Sequence, residues 1–558
     1  MKKTVIGCLC FWIFNTSYAN YDPWQTFQAF KDFGIPDYPE QSNAFGARRF
    51  YAANYAWFER DHLNALLDAY LLSGKAIYIN TAISRMQRML SNLDSHLNVR
   101  SYLAAKNSPW SSVNIDTGKA YPIWRNIHKF SATDTIQGHV LSAYIMNPMA
   151  RLCYLAGRYA LADEYQPVIA GLADSLHTIM SHLDQWAYKE NNRFAYYIDY
   201  PPDLITAWNY MTQAALVHFY LAQSGFLSAR DSISHYQKAE KLGRYFKSQL
   251  INVDEHYIWK YYPNERQIKE FPAEPFWFED VSHSTSDIEM VGVFYAHDLV
   301  FNETDIERFN HTLADYILTK NNSVNAYVTG YAGYNIEKGK KRFWRQFKAN
   351  TRKNINALGN WTLIAAQNDN KMDTCERIYK AGEVVSKIKY PGTADLHFMA
   401  KVALMLFPKN FNFNIKNKAD KMPAFWNPVG KEQLFPDSMQ NPDLTVLQKK
   451  VKTAYAGLTQ TIPGLSGIRY RLTLHAHPMP DTESSSTAFY LGTEESKGEN
   501  EPVYKKITPD KNKTTLLWQT ATSRSINIAL FCQPGFSGQV RLHKIDVTLS
   551  PQQENIIQ

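Results

Sequence analysis

The segment Tyr154-Leu155-Ala156-Gly157-Arg158 ends one stretch of helically spaced apolar residues and begins another. Similar segments occur before and after it, at Leu71-Leu72-Ser73-Gly74-Lys75 and at Tyr220-Leu221-Ala222-Gln223-Ser224-Gly225. The flanking apolar residues recur at the spacing of an amphipathic helix, and glycine is common where such a helix ends. The sequence therefore predicts helical hairpins joined by short glycine turns.

These turns belong to a repeat that covers most of the chain. Successive hairpins are about 70 to 90 residues apart, which indicates an internal structural repeat. Long aromatic-rich connections then lie opposite the short turns, on the side where binding sites are usually built. A closed ring is favoured over an open solenoid. Helix pairs are predicted to begin near residues 43, 136, 203, 284 and 354, with a last helix over 394–406.

The period changes after residue 408. Residues 409–460 are rich in Asn, Lys, Phe and Pro and are predicted to form a linker or wrapping segment. Beyond them, alternating runs such as Ile468–Leu474 are separated by Pro-Gly and Ser-Gly turns, a pattern typical of an antiparallel β-sandwich. The predicted domains are a helical domain over residues 20–408 and a jelly-roll-like domain over residues 461–558.

The first residues have the order of a secretory signal peptide. Two lysines precede the apolar residues 5–14, and Ser17-Tyr18-Ala19 follows. We expect residues 1–19 to be removed after Ala19 and the protein to be exported, to the periplasm or out of the cell. No later run approaches the roughly 20 apolar residues of a membrane-spanning helix, so no transmembrane segment is predicted. Oligomeric state does not follow from the sequence.

The charge distribution indicates an anionic partner. The formal net charge is +8, and the stretch from Lys338 to Lys353 contains many cations and no acid. Such a stretch attracts anions, and its interleaved aromatic rings would also suit nucleic acid. Export favours a polysaccharide or oligosaccharide, with no nucleic acid; a solvated basic loop is the alternative. The predicted substrate-binding residues are Trp208, Trp277, Arg342, Trp344 and Arg345.

The helical repeat resembles the (α/α) toroid of many exported carbohydrate-active enzymes, including polysaccharide lyases of uronate polymers and several glycoside hydrolase families. The likeness covers residues 40–406 and includes Glu279-Asp280-Val281-Ser282-His283 before a helix. The segment Gly538–Leu549 is similar to the last strand of jelly-roll carbohydrate-binding modules. The resemblance implies a mainly α fold, an (α/α) toroid followed by a C-terminal antiparallel β-sandwich. It matches no single family and fixes no reaction.

The candidate site is the aromatic and acidic segment Phe276–Met290. If Ser282 or Ser284 caps the helix, His283 and Asp287 fall on one face, with Asp280 just ahead of them. Titratable groups would then converge at a helix start. The alternative is a solvated helix start whose acids only complement the helix dipole.

Two further helix entries are candidates for the same cleft. Asp203 is predicted to cap a helix that carries Asn209 and Tyr210 about two turns in. Asp134 and His139 lie in another polar entry, where a cap and a packed histidine are the favoured interpretations.

Elimination from a uronate needs a group that neutralises the carboxylate, a base for the C5 proton and an acid for the leaving oxygen. The resemblance implies that Asn209 or an arginine between Arg342 and Arg352 neutralises the carboxylate. It implies His283 as the base and Tyr210 as the acid. Asp280 or Asp287 would orient His283.

The alternatives to elimination are hydrolysis, metal binding and a non-catalytic role. Glu279 is also a catalytic candidate. As sequence neighbours, Glu279 and Asp280 point in different directions and do not suit the carboxylate pair of a hydrolase. Asp203 or Asp134 could supply the second acid of such a pair. His283, Asp287 and Asp280 could ligate a divalent cation, but no cofactor is favoured. The chain could also be a non-catalytic glycan-binding or surface-assembly protein. A lyase acting on an anionic glycan is the first choice, before a glycoside hydrolase.

Overall fold

A computed structural model gives the fold. It describes residues 55–74, 76–93, 122–124, 140–159, 163–199, 204–263, 278–331, 349–366, 372–386 and 393–406, and the strands between residues 427 and 551. The chain divides into two compact units, one within residues 35–70 and 75–402 and the other within residues 1–34, 71–74 and 403–558. The described part is mainly helical, as predicted.

The helices occur as pairs followed by a last single helix. The start predicted near residue 43 lies outside the described residues, and the last helix begins one residue before its predicted start. The bounds are α1 Arg60–Ser73, α2 Ala76–Ser91, α3 Leu141–Arg158, α4 Gln166–Ala187, α5 Trp208–Ala222, α6 Ala229–Ser248, α7 Val281–Tyr295, α8 Glu303–His311, α9 Arg352–Ala365, α10 Met372–Ser386 and α11 Thr393–Leu406.

The first helices of successive pairs pack on one another. Helix α3 contacts α5, α5 contacts α7, and α7 contacts α9. Asn356 of α9 donates a hydrogen bond of 2.8 Å to Asp395 of α11. Asp68 of α1 pairs with Arg151 of α3 and, at 3.5 Å, with Lys401 of α11. These contacts therefore run from α1 through the odd-numbered helices and return to α1.

The predicted glycine turns lie against each other. A Cβ atom on Gly157, in the last turn of α3, would lie only 2.1 Å from the backbone oxygen of Ser224, just after α5. Any larger residue at position 157 would push the two chain segments apart. Glycine is therefore required here for close backbone approach; it does not end the helix, which continues to Arg158 and is capped at Tyr159.

Buried charges join the odd-numbered helices. Arg60 donates to Glu289 of α7 at 2.8 Å, to Gln213 of α5 at 3.2 Å and to the hydroxyl of Tyr144 of α3 at 3.3 Å. Burial opposes ionisation of Asp68, but Arg151 holds the pKa of that carboxyl below its usual value. Because each charge has a partner of opposite sign, the low-dielectric interior tolerates them.

Asp68→Asn tests this network. The substitution keeps the side-chain shape but leaves Arg151 and Lys401 without their carboxylate, so we expect a loss of about 3 kcal/mol in the free energy of unfolding. Urea denaturation at neutral pH measures it. The matched control is Glu240→Gln, which breaks an exposed pair with Arg244 on α6 and should cost less than about 0.5 kcal/mol. Equal losses in both variants would contradict the proposed role of the buried network.

Three histidines form a hydrogen-bonded chain between α4, α5 and α6. His235 lies 2.9 Å from His177 and 2.6 Å from His218, between ring nitrogens. His218 lies 2.8 Å from the hydroxyl of Tyr197, which donates to Asp184. Asp184 also pairs with Lys238 of α6. Burial, and then the neighbouring His218, lowers the pKa of His235 to about 2, so this ring stays neutral in the folded protein.

The histidine chain predicts acid sensitivity. The pKa of His235 is lower in the folded than in the unfolded state, so its contribution to stability is present above about pH 6.5 and is lost as pH falls further. The contribution of His235 to the free energy of unfolding should fall by about 1.4 kcal/mol per pH unit below that value. In urea titrations between pH 7.5 and about 5, His235→Gln should change the slope of the free energy of unfolding against pH by this amount relative to wild type, whereas His311→Gln, at an exposed site on α8, should leave the wild-type slope unchanged. An unchanged slope in His235→Gln would refute the assignment.

The strands after residue 426 form two five-stranded antiparallel sheets. The bounds are β6 Asn427–Val429, β7 Phe435–Pro436, β8 Thr445–Lys450, β9 Ala456–Gly464, β10 Ile468–Pro478, β11 Phe489–Glu495, β12 Val503–Ile507, β13 Lys513–Gln519, β14 Arg524–Cys532 and β15 Ser537–Pro551. One sheet has the order β13-β10-β15-β8-β7 and the other β12-β11-β14-β9-β6. Pro428 and Pro436 lie in the short edge strands β6 and β7, where a residue that cannot donate to a ladder is tolerated.

Strands β6, β7 and β8, and the start of β9, therefore lie inside the segment predicted as a linker. Their pairing partners are distant in sequence, such as Gln539 opposite Gln448, so a local period could not reveal them. Shorter strands occur among the helices: β1 Tyr188–Glu190, β2 Ala195–Asp199, β3 Leu204–Ile205, β4 Ile251–Val253 and β5 His256–Ile258. Among the described helices, none is long and apolar enough to cross a membrane.

Candidate active site

Helix α7 begins at an aspartate cap. The carboxylate of Asp280 accepts hydrogen bonds from the backbone N–H groups of Ser282, at 2.9 Å, and His283, at 3.2 Å. The prediction that Ser282 or Ser284 caps this helix is wrong. Ser284 already lies inside the helix and donates to the carbonyl of Val281 at 2.9 Å. The backbone is extended at Asp280, so the carboxylate of Asp280 reaches the free N–H groups of the first helical turn.

Asp280 also orients His283. Its second carboxylate oxygen contacts Nδ1 of the imidazole. Burial alone would raise the pKa of Asp280, but the adjoining His283 lowers it to about 2, so the carboxylate is ionised at neutral pH. His283 keeps part of its ring exposed, and within the described part of the chain no group hydrogen-bonds to its Nε2. The contact at Nδ1 favours the tautomer whose Nε2 can accept a proton.

Two further carboxyl groups, those of Glu279 and Asp287, are buried near the Asp280–His283 dyad. Asp287 accepts hydrogen bonds from Thr212, at 3.0 Å, and from the indole of Trp259, at 2.9 Å. Burial raises the pKa of both Glu279 and Asp287, and the charge of Asp287 raises that of Glu279 further. Because burial and the charge of Asp287 hold the pKa of Glu279 well above its usual value, the pair retains a proton that the two groups share.

Glu279→Gln tests this shared proton. The raised pKa values mean that the pair stabilises the fold fully below about pH 4, and that this stability is lost as pH rises toward neutrality. A glutamine amide can donate to Asp287 without titrating. We therefore expect the free energy of unfolding of the variant, measured with urea from pH 5 to about 8, to fall less than that of wild type, by at least about 1 kcal/mol. Parallel curves would contradict the shared proton; Glu303→Gln, at an exposed position of α8, is the control.

Asn209 and Tyr210 lie in the first turn of α5, not two turns in as predicted. Residues 204 and 205 form β3, which pairs with Ile198 and Asp199 of β2, so the helix cannot start earlier. The predicted cap Asp203 lies outside the described residues. Asn209 is fully buried, and neither polar atom of its amide has a hydrogen-bond partner among the described groups.

Of the five predicted substrate-binding residues, the structure describes Trp208. Trp208 is buried against Tyr245 and Phe246, at ring distances of 5.4 and 5.1 Å, so it has no free face for a sugar. Trp277, Arg342, Trp344 and Arg345 lie outside the described residues, as do Asp134 and His139.

The structure brings Glu279, Asp280, His283 and Asp287 into one cluster. His283 and Asp287 do not form the expected pair, since Asp287 is directed toward Thr212 and Trp259. Sequence reasoning missed Tyr261, whose ring centroid lies 5.3 Å from that of His283. The aromatic run at residues 257–262 was the available signal.

Glu279, Asp280 and His283 offer ligand atoms that all lie within 4.8 Å of one another. Two carboxylates and an imidazole suit a divalent cation in principle. However, both oxygens of Asp280 already accept hydrogen bonds, and His283 uses Nδ1 for that contact. Asp287, the third member of the alternative ligand set with His283 and Asp280, is directed toward Thr212 and Trp259 instead.

Comparisons with known proteins give no assignment. No family model and no curated protein matches the chain. The enzymatically active domain of bacteriophage CBA120 tailspike protein 4 is 16% identical, with 23% of this chain and 19% of that chain covered at TM-score 0.18. The CBM22-1 xylan-binding domain of Paenibacillus barcinonensis Xyn10C is 12% identical, with 23% and 87% covered at TM-score 0.18.

A third solved structure covers more of the chain. The family GH115 4-O-methyl-α-glucuronidase BtGH115A is 11% identical, with 69% of this chain and 44% of that chain covered at TM-score 0.16. TM-scores this low establish neither the fold nor the function of this chain.

Proposed function

We propose that this chain is an exported carbohydrate-active enzyme, a lyase that cleaves a uronate-containing glycan by β-elimination. Its helical part is proposed to form an (α/α) toroid and its strands a β-sandwich. The return of helix contacts from α11 to α1 supports the toroid. Export, to the periplasm or out of the cell, rests on the signal-like residues 1–19.

The observation that carries the proposal is the Asp280–His283 dyad. Asp280 occupies Nδ1 of His283 and leaves Nε2 available as a base. In β-elimination this nitrogen takes the C5 proton, a C4=C5 double bond forms, and the C4–O bond breaks. The leaving oxygen then needs a proton.

Tyr261 is the proposed proton donor. Its ring lies beside His283, and burial raises its pKa well above the usual value, so its hydroxyl stays protonated. Tyr210, the donor expected from the sequence, lies near enough that its charge would raise the pKa of Tyr261 further. Asn209 is fully buried, so its amide does not reach a bound substrate in this conformation; an arginine between Arg342 and Arg352 is the proposed group for the substrate carboxylate.

The geometry argues against hydrolysis by the buried acids. Retaining glycosidases place their two carboxyls about 5 Å apart, and inverting ones more than about 6 Å apart. Glu279 and Asp287 are both fully buried, so neither carboxyl is open to a glycosidic bond. Asp280 is committed to the helix cap and to His283.

His283→Ala provides the decisive test. Removing the base should lower kcat on a responsive polymer by at least about 100-fold, with fold and stability retained. Ultraviolet absorbance of the unsaturated product, over a panel of alginate, pectate and glycosaminoglycans, measures turnover. The matched control is His311→Ala, which removes another histidine paired with an aspartate, at 2.8 Å on α8.

Three outcomes discriminate the alternatives. Unchanged turnover in His283→Ala rejects the site assignment. New reducing ends without absorbance would identify a hydrolase. Binding without either signal would favour a non-catalytic glycan-binding protein.

A further inference from the structure

Trp57 presents an indole ring to solvent close to the candidate site. Its exposed fraction is 37%, whereas Trp124, Trp208, Trp259 and Trp361 are all less than 2% exposed. Trp57 lies in the π-helical turn Tyr55–Glu59, just before α1. Such turns are rare and often occur at functional sites. Leaving an indole exposed forgoes hydrophobic stabilisation, so this position calls for an explanation.

Two tyrosine rings pack against the indole of Trp57. The ring of Trp57 lies 5.2 Å from that of Tyr144 and 6.2 Å from that of Tyr210, and the two tyrosine rings are 5.8 Å apart. The hydroxyl of Tyr144 lies 3.0 Å from that of Ser286 on α7, and the guanidinium of Arg60 lies 4.3 Å from its ring centre. The indole therefore rests on groups that are themselves fixed by the core.

The aromatic rings continue from Trp57 toward His283. The backbone N–H of Trp208, two residues before Tyr210, donates to the carbonyl of Tyr261 at 3.4 Å, and the ring of Tyr261 lies 5.3 Å from that of His283. Trp57, Tyr210 and Tyr261 thus connect an exposed surface to the proposed base. A glycan chain with its scissile linkage at His283 would have neighbouring sugar units along this row.

We propose that Trp57 is a stacking subsite for a pyranose ring of the glycan, beside the unit that reacts at His283. This inference rests on the proposed function for the identity of its ligand. The axial C–H groups of a pyranose form an apolar face that packs on an indole, and an aromatic ring offers this contact at little conformational cost. The subsite recognises a sugar ring whatever its charge.

Binding and turnover of a defined glycan test the subsite. The probes are hexamers of alginate and of pectate, with cellohexaose as the neutral comparison, titrated calorimetrically into the full chain carrying His283→Ala. Trp57→Ala in that background should raise Kd at least about tenfold, and Trp57→Phe should keep most of the affinity. With His283 intact, Trp57→Ala should raise KM and leave kcat within about twofold, as expected for uniform binding.

The control separates stacking from the loss of any tryptophan. Trp186→Ala, at a half-buried position on helix α4, should leave Kd unchanged. Unchanged Kd and KM in Trp57→Ala, or absence of binding by all three hexamers, would overturn the subsite. If the hexamers bind through Trp57 but no unsaturated product forms, the subsite stands and the lyase proposal fails.

Discussion

Pairing of buried charge on helix α1 is the constraint on which the helical unit depends. Arg60 reaches α3, α5 and α7 through Tyr144, Gln213 and Glu289, and Asp68 reaches α3 and α11. An unpaired charge in this interior would cost several kcal/mol, so the helices can slide or rotate little against α1 without breaking a pair. Helix α7 is held in this way at Glu289, two turns from its start, and its first turn carries Asp280 and His283. The dyad is thus positioned by ionic contacts that belong to the core.

The start of α7 also shows how environment separates three neighbouring carboxyls. Asp280 receives backbone donors and an imidazole, so it ionises. Glu279 and Asp287 lie deeper, receive fewer compensating donors, and hold a proton between them. Keeping that pair singly charged limits the number of uncompensated charges in the buried interior at the start of α7.

Helical periodicity predicted the hairpin succession well, because each amphipathic stripe is local to its own helix. Details that depend on distant partners were not predictable. The start of α5 is delayed by the pairing of β3 with β2, and Asp287 turns from His283 toward Trp259, 28 residues away. The cap at Asp280 was missed because aspartate and serine cap equally well, and only the backbone conformation distinguishes them. The exposure of Trp57 could not be predicted from the sequence, because it depends on how the folded chain packs around the indole.

The close approach of Gly157 to Ser224 makes this turn a poor place to insert foreign sequence. The backbone in the last turn of α3 already lies close to the backbone after α5, so an inserted tag or fused domain at this turn would push the two segments apart and displace α5 from α7. That strain would reach Gln213 and Thr212, which contact Glu289 and Asp287. A label meant to leave the chain intact is therefore better attached elsewhere than at this turn, however exposed a glycine turn looks in the sequence.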